Sequence, residues 1–571
     1  MTTGHLPSPW KVRLLVEEYF KNIHPLRCFA FIHRPSFLQK LERQSTKSYQ
    51  KHALLHIICA LGAHETVNSL SSEFILMAGN EWAKEAQRLI LETLDAVKVE
   101  NLMAAVLLHD YAVRMGNFSN AFMLSGLIAR MTQALQINLE YNTDLLCQNG
   151  DSSPSVTERE SRRRLMWSCY VMDALVGSGV DQLTLVHESD LKIQLPCNER
   201  NFTQQIPCFT ETLSPGNWLK FLSVNLDADA LLPNMGIMAY FIRHISIRKR
   251  HLNDAIVPWD PSSEFAALDA DCRGWYESLP QSLQFTPDAT YIRKDSSQLG
   301  ALCVLHCAHF QTICDLYRLG APALYKLRAA FDFPPEQRGF LRHLQQVLFD
   351  AARTLATIVG ETANHGSRML ADSWLPTITY DSCRIMVYHL TQILDPRTED
   401  TKRLTVETLP LLHRNINCLR LMGSLSVISN SLSVPGTPVQ SAPDYVLNPL
   451  SIFRMARKSI PERHAPEKGG TSSAANSARP DSNSDVDPNL NEMFDRNTDS
   501  GFSNEPEPAL DQSSLEEIQT LFMSDLGWAW QPADTAVGSG IEAAGLLPWA
   551  GGYPTTQTEP WVPAFPFPRQ G

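Results

Sequence analysis

The densest cluster of potential metal ligands lies in the stretch CVLHCAHFQTIC, residues 303–314. Thiolate and imidazole groups are the ligands that zinc prefers, so this composition could hold a metal ion. On a helix, however, the cysteines share one stripe with Phe310, and cysteine in such an apolar setting behaves as a small hydrophobic residue. We therefore predict core packing here and not a metal centre. The cysteines and histidines of this stretch are Cys303, His306, Cys307, His309 and Cys314.

Motifs for hydrolysis and nucleotide chemistry are incomplete. His52 and His56 lie one helical turn apart, but no carboxylate follows in the arrangement that zinc hydrolases use. The stretch HETVN, residues 64–68, has Asn68 where the H-E-x-x-H motif needs its second histidine. Neither a G-x-S-x-G elbow nor a G-x-x-x-x-G-K-[ST] phosphate loop occurs. The sequence predicts no catalytic, cofactor-binding or metal-ligating residue, and a helical enzyme with a hydrophobic substrate stays an alternative.

Three consecutive arginines, residues 162–164, occur within TERESRRRLMWSCYVMDAL, residues 157–175. Clustered arginines can bind the phosphates of a nucleic acid. With Thr157 as N-cap and Glu160 three residues later, the pattern predicts a capping box and a helix that runs to about Val176. The question is whether this helix presents its arginines to a nucleic acid or lies inside the protein.

The predicted helix carries too much apolar area for an exposed reading helix. Trp167 and Tyr170 widen its apolar stripe, and burying each large apolar side chain contributes about 2 kcal/mol. We predict a buried structural helix in which an arginine near the core pairs with Asp173 or with a carboxylate elsewhere. The stripe consists of Leu165, Cys169, Met172 and Val176. The structural signature of the segment comprises Arg162, Arg163, Arg164, Trp167, Tyr170 and Asp173.

The surrounding sequence predicts an all-α body over residues 10–432, after a short lead of residues 1–9. Apolar residues recur three and four apart, Pro or Gly falls between segments, and no convincing strand pattern interrupts them. The stretch PWKVRLLVEEYFKNIHP, for example, predicts a helix that ends at His24, because the residue before a proline disfavours helical geometry. The predicted fold is a large multi-helix domain followed by a disordered acidic C-terminal tail.

The tail differs from the body in composition and charge. Residues 433–512 are rich in Ser, Asn, Asp, Pro and Gly, and residues 531–571 in Pro and aromatic residues. Such segments bury too little apolar area to offset the entropy of ordering, so we predict a disordered linker and a disordered end. Residues 481–571 contain 15 acidic and 2 basic residues, while the whole chain has a net charge of −12. The acidity therefore belongs to the tail.

Residues 513–530, SSLEEIQTLFMSDLGWAW, interrupt this tail with a short acidic amphipathic pattern. Ser514 and Glu517 have the spacing of a capping box. Acidic neighbours keep apolar groups solvated until a partner groove accepts them, which is typical of an activation segment that folds on binding. The alternative is a helix that docks onto the protein's own body. The candidate contact residues are Leu515, Ile518, Phe522, Leu526 and Trp528.

Two short basic stretches could act as nuclear-import signals: IRKRH, residues 247–251, and RMARKSIPERH, residues 454–464. A phosphate-binding surface would need more charges arrayed together. We interpret the first stretch as a solvated helix face and the second as part of the linker.

Several stretches together resemble the fungal-specific transcription factor domain, the helical middle region of fungal zinc-cluster regulators. The resemblance rests on RRRLMWSCYVMDALVGSGV followed by ESDLKIQLP, on EYFKNIHPLRCFAFIHRPSFLQKL, on LDADCRGWYESLPQSL and on NCLRLMGSLS, in that family's order. It covers roughly residues 10–430. One departure is GSGVDQLTLV, where the family usually has Gly-Arg-Pro. The resemblance implies a regulatory domain that senses metabolites or mediates dimerisation, in proteins that often control metabolic genes.

The resemblance also implies a DNA-binding module that this sequence lacks. Members of the family normally bind DNA through six cysteines that hold two zinc ions, beginning with C-x2-C-x6-C near the N-terminus. Here only Cys28 precedes Cys59, and no C-x2-C pair occurs. Zinc is therefore expected only if an N-terminal cluster is missing from the sequence. DNA contact would come through such a module or through a partner, and the sequence leaves both open.

We interpret the chain as a nuclear regulator of a fungal metabolic gene set. Its expected partners are the transcription machinery, through the acidic tail, and a second copy or a related factor in a homodimer or heterodimer. The alternative is an interaction or repressor protein that binds a related zinc-cluster factor without contacting DNA. We expect reduced thiols, because the twelve cysteines are scattered. We expect no membrane association, because no run approaches about 18 apolar residues.

Overall fold

The computed structural model describes several ranges of residues, and the last of them ends at residue 423. Regular structure within these ranges is helical, apart from two isolated bridges that pair Leu139 with Lys192 and Cys197 with Met235. The predicted all-α fold is confirmed. The described residues are 4–26, 28–43, 50–66, 72–95, 97–140, 155–177, 184–219, 232–250, 257–325, 333–395 and 397–423.

The α-helices fall into a first group before residue 210 and a second group after it. The first group comprises α1 (Pro9–Asn22), α2 (Arg34–Arg43), α3 (Ala53–Thr66), α4 (Ser72–Leu91), α5 (Val99–Arg114), α6 (Phe118–Leu135), α7 (Val156–Gly177) and α8 (Glu199–Thr203). The second group comprises α9 (Ile237–Lys249), α10 (Glu264–Glu277), α11 (Pro287–Asp295), α12 (Leu299–Tyr317), α13 (Pro322–Tyr325), α14 (Arg338–Ala363), α15 (Leu375–Tyr388) and α16 (Glu399–Gly423).

The boundaries of α1 follow from its sequence. Pro9 occupies the first turn, where the missing amide hydrogen would have no helical acceptor anyway. The helix ends at Asn22, two residues before the predicted end at His24. Val12 and Tyr19 are fully buried while Trp10 is 65% exposed, so α1 places one face against the body.

α1 crosses α3 at a point where no side chain fits. A Cβ atom at Gly62 would lie 2.1 Å from the carbonyl oxygen of Leu15. The two backbones therefore meet directly, and only glycine permits this approach.

α12 is the central helix of the second group and contacts α9, α10, α11, α14 and α15. All its residues except Phe310 are buried. The segment Leu299–Gly320 is long and apolar enough to cross a membrane, but 89% of its apolar window is buried inside the protein. α12 is thus a core helix of this fold, and the expectation that no run approaches the length of a membrane span is wrong for this segment.

α7 contacts α5, α6 and α9 and so connects the two groups of helices. The tail lies outside the described residues, and the linker 433–512, the amphipathic segment 513–530 and the end 531–571 stay predictions. So do the contact candidates Leu515, Ile518, Phe522, Leu526 and Trp528, and the basic stretch 454–464.

Candidate functional site

α7 begins two residues earlier than the sequence pattern predicts. The amide of Glu158 donates to Ser155 Oγ at 3.2 Å, and the amide of Ser155 donates to Glu158 Oε2 at 2.9 Å. The capping box is therefore Ser155–Glu158, and the predicted pair of Thr157 and Glu160 is wrong. Both pairs satisfy the same local pattern, but the Glu160 carboxylate is occupied inside the protein. The predicted end near Val176 agrees with the observed end at Gly177.

Arg164 is the most completely enclosed of the three arginines, with no exposed side-chain surface. Its guanidinium carbon lies 4.2 Å from the centroid of the Phe202 ring, which covers one face of the cation. The guanidinium donates hydrogen bonds to Glu160 Oε1 (2.9 Å), Glu199 Oε1 (2.6 Å) and the carbonyl oxygens of Ala30 (3.0 Å) and Cys197 (2.6 Å). Arg164 thereby joins three stretches of chain, around Ala30, α7 and residues 197–202, at one buried charge.

Arg163 completes a buried ion cluster with Arg164. It pairs with the carboxylates of Glu140 and Glu160, and all three side chains are at least nine-tenths buried. Burial by itself raises the pKa of Glu160, but the charges of Arg163 and Arg164 hold that pKa below its usual value. Glu160 also accepts the Cys197 amide at 2.9 Å, so its carboxylate is stabilised in its charged form. Arg162 is half-buried beside the cluster.

Trp167 and Tyr170 lie inside the protein, as predicted. Both have 0% exposure, and their rings meet edge to face at 5.5 Å. The indole nitrogen of Trp167 donates to the carbonyl oxygen of Gln194 at 2.7 Å, and the Tyr170 hydroxyl donates to Glu188. These bonds satisfy the polar atoms of both rings, so neither ring forms a surface that could read a nucleic acid.

Asp173 binds backbone amides. Its carboxylate accepts the amides of Leu185 and Val186, each at 2.9 Å, and thereby holds the segment that follows α7. Burial raises the pKa of Asp173 above its usual value. The predicted arginine partner is a carboxylate elsewhere, because Glu140, Glu160 and Glu199 take that role.

The N-terminal stretch with His-x-Pro-Ser-Phe packs against the start of α7. Ser168 Oγ donates to the carbonyl oxygen of Cys28, and Arg164 reaches Ala30. The His33 ring lies edge to face on Phe202, with centroids 5.2 Å apart. Two stretches that the sequence singled out separately therefore meet, with Phe202 of α8 between them.

A cleft of about 130 Å³ opens beside the ion cluster. Its lining includes Glu140, Arg163, Phe202, Cys197 and Cys208. Glu140 and Arg163 are paired with each other, and the same cleft is lined by the thiols of Cys197 and Cys208. Sequence reasoning missed Glu140, Glu199 and this pair of cysteines, because they come from stretches that no local motif connects.

The cysteine and histidine residues of α12 pack as core. All five polar side chains of the stretch are buried, the Cys303 and Cys307 sulfurs are 3.9 Å apart, and His309 stacks on Tyr276 at 4.5 Å. Burial lowers the pKa of His306 to about 4 and that of His309 to about 3, so both are neutral at pH 7. Among the described residues no group of three or more His, Cys, Asp or Glu side chains could hold a metal ion. The prediction of core packing is confirmed.

The first basic stretch is more buried than predicted. Arg248 pairs with Asp315 at 2.6 Å with only 14% of its side chain exposed, and Lys249 donates to the carbonyl oxygen of Val186 at 2.8 Å. Arg250 alone of these three has an exposed pair, with Asp271. The interpretation as a solvated helix face is therefore wrong for Arg248 and Lys249, whose charges fix the end of α9 to its neighbours.

Residues 16–226 match the model of the family described as "Fungal specific transcription factor domain". This part of the chain is therefore similar to that domain. The matched range contains α7, the whole ion cluster and the His-x-Pro-Ser-Phe stretch that packs on it.

Curated relatives of this domain are fungal regulators. An uncharacterized transcriptional regulatory protein of Schizosaccharomyces pombe is 29% identical over 325 residues, which are 54% of this chain and 32% of that protein. The Zn(2)-C6 fungal-type transcription factor FTF1c of Fusarium oxysporum f. sp. lycopersici is 27% identical over 379 residues, 64% of this chain and 39% of that protein. The factor FTF2 of the same fungus is 28% identical over 378 residues, 63% and 34% respectively. The chain thus spans about a third of the length of these relatives. No solved structure matches it.

Proposed function

We propose that this chain regulates transcription in the nucleus of a fungus and controls a metabolic gene set. The observation that carries the proposal is the domain match over residues 16–226, together with relatives that are named transcription factors or transcriptional regulators. The buried ion cluster supports it in one respect. Arg163 and Arg164 are consumed by internal pairing, so the helical body acts as a regulatory scaffold and leaves DNA reading to another module.

DNA contact is proposed to come from a zinc cluster outside the sequence in hand or from a related factor bound as partner. Two of the relatives are named Zn(2)-C6 factors, which supports either route. A dimer through the helical body would join this chain to a second copy or to such a factor. The zinc would then belong to the DNA-binding module and not to the body.

The acidic tail is proposed to contact the transcription machinery. Its support is compositional: an excess of acidic residues surrounds one amphipathic pattern with aliphatic and aromatic residues on one face. Such a segment would fold into a groove on its partner, and its apolar face would carry the binding energy.

A second function is an interaction or repressor protein that binds a related zinc-cluster factor without contacting DNA. The observation that favours it is a group of exposed apolar side chains on α6, where Phe122 is 50% and Met123 is 72% exposed. Large exposed apolar side chains that lie together are typical of protein-binding surfaces.

The activation proposal is tested by joining the full chain to an unrelated DNA-binding domain and measuring a reporter gene. The fusion should activate the reporter, and the triple variant Phe522→Ala, Leu526→Ala, Trp528→Ala should reduce it strongly, because the apolar face is lost. The matched control replaces Thr520 and Ser524 by Ala on the opposite face of the predicted helix and should keep activity. A fusion that represses or stays silent would favour the second function.

The partner proposal is tested by purifying the full chain from fungal nuclei and identifying bound zinc-cluster factors. Met123→Glu should weaken co-purification if α6 forms the contact, because a charge would be placed in the apolar interface. Gln133→Glu, on the exposed part of the same helix, is the control and should leave co-purification unchanged. Equal recovery from both variants would exclude α6 as the contact surface.

A further inference from the structure

Two cysteines line the cleft beside the ion cluster. Cys197 is buried, whereas Cys208 is half-buried, and both line the cleft. Every other cysteine among the described residues is buried. An oxidant in solution can therefore reach Cys208 more readily than any other described thiol.

The backbone holds the two cysteines in place independently of their thiols. The Cys197 amide donates to Glu160 at 2.9 Å, and its carbonyl oxygen accepts from Arg164 at 2.6 Å. The segment after Cys208 is fixed because the Thr210 amide donates to Gln194 Oε1 at 2.9 Å. Within this frame both side chains line the same cleft and lie close enough for each thiol to shift the pKa of the other. The backbone of Cys197 is thus held by the network that encloses Arg164, and the segment after Cys208 is held by Gln194.

We propose that Cys197 and Cys208 form a reversible, peroxide-driven disulfide, a modification site at the edge of the helical body. The Cys208 thiolate attacks one oxygen of hydrogen peroxide, the O–O bond breaks, and the other oxygen leaves as hydroxide, which a proton converts to water. Cys208 is then a sulfenic acid. The Cys197 sulfur attacks the Cys208 sulfur, the S–O bond breaks, and a second water leaves with the Cys197 proton. Two electrons pass from the dithiol to the peroxide.

The electrostatics of the pair agree with this order of events. The hydrogen bond from Cys197 lowers the pKa of Cys208, so Cys208 supplies the attacking thiolate. The same hydrogen bond, followed by burial, raises the pKa of Cys197, which keeps Cys197 as the protonated resolving thiol. An accessible thiol of lowered pKa beside a resolving cysteine is the arrangement of a redox-sensing site. Disulfides in reducing compartments are usually transient in this way.

The core offers an internal comparison. The Cys303 and Cys307 sulfurs are 3.9 Å apart, and both side chains are completely buried. Burial raises the pKa of Cys307, so little thiolate forms there and no oxidant reaches it. Both pairs therefore bring two sulfurs close together. Only the pair in the cleft also has a thiol that solvent can reach and whose pKa is lowered.

The test treats the folded full-length chain with hydrogen peroxide, alkylates the remaining thiols and maps tryptic peptides by mass. Trypsin cleaves after Lys192, Arg200 and Lys220, so the two cysteines fall on separate peptides, residues 193–200 and 201–220. We expect these peptides to appear joined and two hydrogens lighter, and to separate after dithiothreitol. Cys303 and Cys307 share the peptide of residues 295–318, which should stay alkylated in the same sample.

Two variants check the roles of the thiols. In Cys197→Ser, Cys208 should stop at the sulfenic acid and react with dimedone. In Cys208→Ser, oxidation of Cys197 should be slower than in the wild type by about tenfold or more. The reason is that the thiolate fraction falls about tenfold for each unit by which a thiol pKa is raised. The rate at Cys208 should rise with pH and level off below the usual thiol pKa of about 8.5.

The wild-type peptide map decides the proposal even where a variant fails to fold. Absence of the joined peptides while Cys208 stays reduced, or is oxidised beyond sulfenic acid, would overturn it. Equal oxidation of the cleft pair and the Cys303–Cys307 pair would overturn it as well.

Discussion

Replacement of Arg164 by methionine is the sharpest perturbation of the buried ion cluster. Methionine fills much of the same volume but carries no charge and no donor. The change leaves the buried Glu160 with Arg163 as its remaining cation, and it removes the donor from the carbonyl oxygens of Ala30 and Cys197. The expected loss in the free energy of unfolding therefore comes from groups that stay buried when the guanidinium is removed.

The magnitude follows from the burial of each partner. Removing one member of a buried ion pair costs about 3–5 kcal/mol when the other charge is left uncompensated, and the remaining Arg163 places Glu160 at the lower end of that range. Glu199 adds little, since 37% of its side chain is exposed and water can replace the arginine. Each carbonyl oxygen that loses its donor costs about 1–3 kcal/mol where water cannot enter. This range overlaps the cost of breaking the ion pair, so the two costs are not simply added. We expect Arg164→Met to lower the free energy of unfolding by about 3–5 kcal/mol.

The assay is urea unfolding followed by far-ultraviolet circular dichroism, which reports the helical body. Arg159→Met is the matched control, because Arg159 is exposed on the first turns of α7 and should change stability by at most about 0.5 kcal/mol. In a double-mutant cycle, Glu160→Gln combined with Arg164→Met should cost less than the sum of the single changes. A loss below about 1 kcal/mol for Arg164→Met, or strict additivity, would refute the reasoning.

Two further predictions concern the close helix crossing and the buried histidines. Gly62→Ala should destabilise the chain by about 1–3 kcal/mol or more, because its Cβ would meet the Leu15 carbonyl oxygen at 2.1 Å; Gly274→Ala, whose Cβ meets nothing within 4 Å, should be neutral or mildly stabilising in the same melt. Burial lowers the pKa of both His306 and His389 to about 4, so the unfolded chain binds more protons between pH 6.5 and 4. The stability that these two neutral histidines contribute should be fully present above about pH 6.5. Below that pH the free energy of unfolding should fall by up to about 1.4 kcal/mol per pH unit for each histidine. A urea midpoint that is unchanged between pH 7 and 5 would contradict this prediction.

Local patterns predicted the helices well but not their first residues. The helix around residue 165 was correctly expected to be buried, since its apolar stripe leaves no other place for it. Its cap was misplaced because Ser155–Glu158 and Thr157–Glu160 both satisfy the same three-residue spacing. Glu160 lies in the interior because the buried Arg163 and Arg164 need a carboxylate partner there, and the local spacing does not show this.

The candidate site was predicted in part. The arginines were expected to need carboxylate partners, but Glu140 and Glu199 lie 23 and 35 residues away from the arginines they bind, and no periodic signal marks them. The pairing of Cys197 with Cys208 was not predicted either, since nothing in the local sequence distinguishes these two cysteines from the other scattered ones.

The sequence by itself determined that this body is helical, that the segment around Trp167 is interior and which domain family it resembles. Those properties depend on apolar spacing and on residue order, which are local. Tertiary structure decided which charges neutralise each other, where α1 and α3 touch, and which thiol faces a cleft. Ion pairing, close backbone approach and solvent access depend on distances between stretches that are remote in the chain, and no local pattern specifies those distances.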